Sequence, residues 1–510
     1  MKMVKSLLLG TAAGVVAMTG AQAADLPVKA KPVQYVKICS LYGAGFYYIP
    51  GTDMCLKIGG YVREQIGWNV NGSLTPGPNV SNLDNRNTSN FANRARGYIT
   101  ADARNQTEYG TVRSYIAVGL TGNPDPASGA SATFSANRAF IQFAGFTFGI
   151  TQSFYDFHAT PAYSFWGGSI NPSSDSGDGG KQLTAYTMQF GNGLSATISA
   201  EGQRNFGVVG NIGSAGAVTT GANAANMSPL VLPGSSQKGI QFPDIIGNLR
   251  LDQAWGGAQI MGGIHDASGG YYNSVNTSAQ ANVTNGNPAD ALGWVIGAGL
   301  KLNTPMFGAG DNISAQVNYT NGAPGYVNNG GAVLYSKVNA NGTYGYGLIT
   351  DSVYGVTPGS IQLTTAWGVN AAYEHFWNRS FQTSVYGGYQ AYSYNATANA
   401  ALCAPSGAAG AGGGQVGYAL PTTNGICNNN FQTWNIGSRT QWNIDANTAL
   451  GIDVIYQRLE TASAGSIVTG LTAATAASGA VFGSAAPGAR TLTNQDSWAG
   501  QFRIHRNFYP

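Results

Sequence analysis

Six arginines, Arg63, Arg94, Arg96, Arg104, Arg113 and Arg138, fall early in the chain, each in or beside a stretch where polar and apolar residues alternate. Further on, Phe154 to Gly180 carries Asp156, Asp175 and Asp178 and no Lys or Arg. Guanidinium groups held opposite carboxylates across a water-filled gap would set a transverse field, which orders water and sorts solutes by size and charge. Arg63, Arg94, Arg96, Arg113 and Arg138 are the candidates for the basic wall. Asp156, Asp175 and Asp178 are the candidates for the acidic side. The same segment holds Phe154, Tyr155, Phe157, Tyr163, Phe165 and Trp166. A solvated loop would not need those rings, whereas a loop folded inward would pack them on a wall. The competing reading puts the arginines in salt bridges or on lipopolysaccharide phosphates, and Asp175 and Asp178 on a solvated tip. Arg104, close to a short turn, suits that reading better.

Other chemistry finds little footing. There is no G-x-S-x-G, H-E-x-x-H or P-loop motif. Gly412 to Gly417 fits G-x-G-x-x-G, but it lies in a Gly/Ala-rich loop rather than between a strand and a helix. His158, His265, His375 and His505 are scattered as polar loop or wall residues, and Glu374 and His375 are strand neighbours that point to opposite faces. Cys39, Cys55, Cys403 and Cys427 form two local pairs without C-x₂-C spacing, so zinc is unsupported. Disulfides Cys39–Cys55 and Cys403–Cys427 are expected; free thiols or one long-range pair are the alternatives. No enzyme activity, cofactor or metal is expected.

The elements that would position the arginines are strands. In Leu56 to Val70, Leu56, Ile58, Val62, Ile66 and Trp68 share one face, and Lys57, Tyr61, Arg63, Gln65 and Asn69 the other. Glu64 is the exception. In Trp498 to Phe508, Trp498, Phe502, Ile504 and Phe508 oppose Gln501, Arg503, His505 and Asn507. This period of two recurs in about 16 segments and marks strands with one polar and one apolar face. Long connections, near 71–91, 121–133, 154–181, 204–242, 266–291, 321–361, 393–431 and 460–495, alternate with short ones such as 191–193 and 444–447. An up-and-down chain with every long loop at one end gives that order.

Composition agrees. Of 510 residues only 25 are Lys or Arg and 22 Asp or Glu, 9% charged, while 73 are Gly and 11% aromatic. Ordinary globular chains hold about 25% charged residues and about 7% Gly. Such a chain cannot cover itself with a charged surface, and its aromatics argue against disorder. Strands with an apolar outer and polar inner face, joined by polar loops, describe an all-β transmembrane barrel. Only a closed barrel satisfies every strand backbone group in lipid. Trp68, Tyr109, Trp255, Trp294, Tyr319, Trp377 and Trp434 near strand ends suit interfacial girdles.

Lys2 and Lys5, the apolar run Leu7 to Met18 and Ala21-Gln22-Ala23 read as a secretory signal cleaved after Ala23. Loss of Lys2 and Lys5 lowers the net charge from +3 to +1, which offers nucleic acid nothing. Residues 24–54 contain Pro27, Pro32 and Pro50, which break ladders, and read as a periplasmic segment ahead of a barrel over 55–510.

Specific stretches add to this. Asp25-Leu26-Pro27, Lys29 to Val33, Tyr35 to Cys39, Tyr42-Gly43-Ala44-Gly45-Phe46, Tyr48 to Asp53 and Cys55 to Arg63 follow in quick succession. Phe146-Thr147-Phe148-Gly149 precedes Gln152-Ser153-Phe154, and Gln501-Phe502-Arg503 leads to Phe508-Tyr509. These residues resemble the general porins of alphaproteobacteria, notably those of rhizobia; the long loops match weakly. The resemblance implies a 16-stranded antiparallel barrel, an inward third loop and a homotrimer in outer-membrane lipid and lipopolysaccharide. It also implies passive diffusion of small hydrophilic solutes and ions, and assembly by machinery that reads a C-terminal aromatic strand. Here Pro510 follows that aromatic. A porin selective for sugars or organic acids, a barrel enzyme such as an outer-membrane lipase, and a plugged barrel or adhesin are the rival readings.

Overall fold

The computed structural model of the chain describes residues 38–70, 74, 82–83, 90–125, 129–167, 175–177, 179–212, 237–272, 286–328, 334–338, 343–355, 359–403, 427–468 and 490–508. The expected signal peptide, residues 24–37, Asp178, the glycine run 412–417 and Tyr509-Pro510 lie outside them.

Sixteen long strands form one closed antiparallel sheet. They are β1 (Cys55–Trp68), β2 (Phe91–Thr107), β3 (Gly110–Asp125), β4 (Gly129–Phe143), β5 (Phe146–Thr151), β6 (Lys181–Gly191), β7 (Leu194–Glu201) and β8 (Asp244–Gln253). The second half comprises β9 (Gly256–Asp266), β10 (Leu292–Asn303), β11 (Asn312–Asn321), β12 (Thr365–Phe376), β13 (Phe381–Ser393), β14 (Phe431–Asn443), β15 (Thr448–Glu460) and β16 (Gln495–Asn507). Each pairs with its neighbour in sequence. β16 then pairs with β1, from Tyr61 opposite Asn507 to Trp68 opposite Gly500. Closure joins the last strand to the first, so around the ring each strand finds ladder partners on both sides without water, although β5 covers only Ala139–Phe143 of β4.

The alternation sets which way side chains point. Ile58, Val62, Ile99, Ile116 and Leu120 are exposed outside, while Gln65, Thr100, Asp102 and Thr121 are buried inside. Polar residues in and large apolar residues out invert the arrangement of a water-soluble domain. They match a wall between lipid and a polar lumen. At the long-loop end, outward rings pack at tilted angles across strands: Trp294 on Tyr319, Trp367 on Tyr389, and Trp434 and Trp498 on either side of Tyr456. At the short-turn end, Phe146 meets Tyr186 and Phe381 meets Trp442. These rows form the two girdles.

Turn chemistry follows the sequence. Asn192 and Gly193 close β6 onto β7 with φ of 50° and 74°, the pair of positive values that a type I′ hairpin needs. A Cβ on Gly193 would lie 1.9 Å from the Asp252 carbonyl oxygen. One connection differs from expectation. The long loop expected near 121–133 is ladder instead, since β3 and β4 stay paired out to Asp125 opposite Gly129. The Gly/Ser/Ala-rich stretch 129–133 lacks apolar alternation, yet backbone pairing alone extends the hairpin.

The remaining long connections pack on one another. Phe206, Leu348, Val353, Tyr394, Leu402, Leu459 and Leu492 share one buried cluster drawn from the connections after β7, β11, β13 and β15 and the end of β15. Helix α1 (Thr160–Tyr163) lies in the third connection and α2 (Ala396–Cys403) in the seventh. Both expected disulfides, Cys39–Cys55 and Cys403–Cys427, are present.

Candidate functional site

The third connection leaves β5 and runs along the polar face of the wall. Its hydrogen bonds trace the path. The Phe154 N–H donates to Glu201 of β7 at 2.9 Å, and Asn248 of β8 donates to the Phe154 carbonyl at 2.6 Å. Gln316 of β11 accepts from the Phe157 and His158 N–H groups at 3.2 and 2.9 Å. Tyr155 and Tyr163 donate their hydroxyls to Asn318 and Asn312 of the same strand, at 3.1 and 2.7 Å. Ser384 of β13 donates to the Tyr163 carbonyl. Asp453 of β15 accepts from Ser164 Oγ at 3.1 Å and from the Phe165 N–H at 2.6 Å. Arg503 of β16 donates to the Phe165 carbonyl at 2.5 Å.

Glycine makes the close approach possible. A Cβ on Gly299 would lie 2.3 Å from the Phe157 ring, and one on Gly297 2.5 Å from the Tyr155 hydroxyl oxygen. The Phe165 ring then sits against two guanidinium groups, 4.3 Å from that of Arg503 and 5.5 Å from that of Arg439. Arg439 is held by Glu374 at 2.5 Å. Trp166 is buried with Val70, Ala92, Ile455 and Ala499, which brings the segment round to β16, β1 and β2. His158 stacks on Tyr163 with ring centroids 5.2 Å apart and shares a 3.0 Å bond with Ser314 Oγ. Burial pushes the His158 imidazole down to about 4, so it is neutral at ordinary pH.

The expected arginines share one arc of the wall. Arg63 stands opposite Arg96 in the β1–β2 register, and Gln65 lies between Arg94 and Arg503. Gln65 Oε1 accepts two bonds from Arg94, at 3.1 and 2.8 Å. Arg63 donates to His505 Nδ1 at 3.1 Å and covers the Tyr61 ring at 4.8 Å. Arg113 and Arg104 both bind Asp102, at 2.9 and 2.7 Å. The salt-bridge reading therefore describes these two, and Asp102 is an acid of the wall itself. Arg138 donates to the Gly177 carbonyl at 2.9 Å, joining the returning arm of the loop to β4.

The loop acids differ from expectation. Asp156 pairs with Arg204 at 2.7 Å, both side chains almost fully buried, and it accepts from the Ser176 N–H at 2.6 Å. Asp175 is buried too, accepting from the Thr160 and Gly177 N–H groups at 3.2 and 2.8 Å. Neither carboxylate presents an open face to the arginine arc; Asp175 fastens the loop to itself, and Asp156 fastens it both to itself and to the next connection. A bare buried carboxylate is costly, so each is paired or capped. Sequence reasoning missed Arg204, three residues past Glu201, and it missed Arg439, Asp453 and Arg503 as loop anchors. Alternation had put Arg503 on the polar face. Only ring closure brings it beside Gln65.

Asp175 gives this anchor a pH dependence. Burial first, and the nearby Asp156 carboxylate second, push its carboxyl up to about 6 from an ordinary 3.8. A raised carboxyl binds its proton more tightly in the folded loop. Between roughly pH 4 and 6 the loop therefore loses stability as pH rises. Lowering the pH from 7.5 to 5 should raise the hydrogen-exchange protection of the third connection's amides, after correction for intrinsic rates, and Asp175→Asn should abolish the change. A wild-type chain whose third-connection protection is independent of pH would contradict this.

Comparison with known proteins adds the family. Residues 25–485 match the model of the Porin subfamily. Porin Omp2a of Brucella melitensis is 37% identical over 220 residues, 39% of this chain and 56% of that protein. Porin Omp2b of the same organism is 34% identical over 272 residues, 50% of this chain and 63% of that protein. The chain thus aligns with less than two thirds of the length of these relatives. The outer-membrane channel DcaP of Acinetobacter baumannii superposes with a TM-score of 0.53 over 90% of this chain and 99% of its own, at 12% identity, a likeness of fold alone. With a closed sixteen-strand barrel and a family match across most of its length, this chain belongs to the Porin subfamily and is a β-barrel of the outer membrane.

Proposed function

We propose that the chain forms a water-filled channel for passive diffusion of small hydrophilic solutes and ions, narrowed by its third connection. One observation carries this reading. The bonds of Phe154 to Phe165 run along the inward face from β7 round to β16, while Arg63, Arg94, Arg96, Arg113 and Arg138 occupy the arc from β1 to β4. A loop seated on part of the wall leaves a lumen bordered by the rest, and that rest is basic. The field there favours anions. The buried Asp156 and Asp175 set the width of the gap by holding the loop, rather than by facing the arginines.

The same reading makes the protein a channel rather than an enzyme. It puts residues 1–23 in a cleaved signal and 24–54 on the periplasmic side, and by the family resemblance it gives a homotrimer built by the barrel-assembly machinery. Liposomes carrying the folded protein should swell in isosmotic sugars at rates that fall steeply with sugar size and rise linearly with concentration. A rate that saturates for one sugar class would replace free diffusion by a selective site.

A further inference from the structure

Below the arginine arc, at the short-turn end, the lumen holds a cavity of about 430 Å³, within the roughly 300–1,000 Å³ of small-molecule sites. One side is the segment ahead of β1, fastened by Cys39–Cys55, which contributes Tyr42 and Phe46. The other is the inward face of β1 to β3, with Lys57, Asp102, Arg104 and Tyr115. We propose that this cavity binds small aromatic carboxylates, a reading that rests on the channel function above.

Three features define the ligand. The first is charge. Lys57, Arg104 and Arg113 gather round a single acid, Asp102, so positive charge stays in excess. Asp102 fixes the guanidinium planes, taking two bonds from Arg104 at 2.9 and 2.7 Å and its share of Arg113 at 2.9 Å. The second is ring surface. Arg104 covers Phe46 at 4.9 Å and Tyr42 at 5.7 Å, and Arg113 covers Tyr115 at 5.1 Å, beside a Tyr115–Phe140 stack. Alternating rings and guanidinium groups offer a planar aromatic solute stacking on either kind of face. The third is an unspent donor. The Tyr42 hydroxyl is buried and makes no hydrogen bond among the described residues. A buried hydroxyl without a partner is costly, so turning the Tyr42 ring to let a bound carboxylate accept from it relieves that cost. An aliphatic acid would satisfy the charge but not the rings, and a neutral aromatic the reverse.

Benzoate is the probe, with acetate and benzyl alcohol as single-feature controls. Single channels titrated with sodium benzoate should lose current along a saturating curve, while the two controls leave current following bulk conductivity. Lys57→Gln should raise the half-blocking concentration about tenfold, the effect of losing one charged contact. Tyr42→Phe, which keeps the ring, should raise it about threefold. Equal behaviour of benzoate and acetate in a conducting channel would overturn the site and leave the channel function standing. Calorimetric titration of the folded, detergent-held protein with benzoate needs no conduction. Saturable heat that Lys57→Gln weakens supports the site, and its absence overturns it. A barrel that binds benzoate without conducting would defeat only the channel.

Discussion

Replacing Arg204 by Met should release the third connection and raise single-channel conductance, with the barrel intact. Arg204 and Asp156 meet at 2.7 Å with almost no exposure of either side chain. The guanidinium also lies 4.5 Å from the Tyr326 ring. Breaking a buried pair by removing one partner costs about 3–5 kcal/mol, because the other charge stays behind unpaired. The sixteen-strand ladder does not depend on this pair, so the loss falls on the loop. A loss of about 3 kcal/mol raises the population of released loops by more than a hundredfold. Conductance and current noise should both increase, while heat-modifiable migration on gels stays as in the wild type. The double variant Arg204→Met, Asp156→Asn removes the stranded charge and should recover part of the wild-type conductance. Unchanged conductance in the single variant would mean that the loop does not narrow the path.

The second large effect concerns selectivity. Arg94→Ala together with Arg96→Ala should shift the reversal potential in a salt gradient toward cation preference. A unit charge about 6 Å from a passing ion is worth roughly 0.7 kcal/mol in water and more where the dielectric is lower. Two such charges act on anion and cation with opposite sign. At 0.1 M salt the permeability ratio should therefore change by about fivefold or more. In 1 M salt, where the Debye length is about 3 Å, the change should shrink. Both side chains point inward beside Gln65 and Arg63, so the barrel should fold as before. An unchanged reversal potential would place the ion path away from β1 and β2.

These two results draw on different levels of the sequence. The strands were legible because a wall between lipid and water imposes a period of two on every one of them. Ile58 and Val62 outside and Gln65 inside follow from alternation alone. The basic arc was legible for the same reason, since alternation aims Arg63, Arg94, Arg96, Arg113 and Arg138. The loop's rings were legible as well: Tyr155, Tyr163, Phe165 and Trp166 are all buried. Partners distant in sequence were not. Asp156 meets Arg204 across an intervening hairpin, and Phe165 meets Arg503 across most of the chain. A lone acid in a loop reads the same whether it will face water or a buried cation. The hairpin between β3 and β4 was hidden for another reason, because Gly, Ala and Ser carry no face to alternate.

Asp351 accepts from the Phe206 and Gly207 N–H groups at 3.0 and 2.9 Å, tying the connection after β11 to the one after β7. Arg204, in the latter, reaches the third connection through Asp156. The third loop is thus fixed from two directions, by the wall and by its neighbours at the outer end. Fixing from both directions suits a constriction of constant width rather than a gate that opens and closes.

The most direct test of the central claim is the current through single molecules of the purified, folded chain in a planar lipid bilayer. A diffusion channel with a basic lumen gives stepwise insertions whose conductance scales with the conductivity of the bathing salt, with anion preference at low salt. A folded, heat-modifiable barrel that inserts without conducting ions at any salt concentration would contradict it.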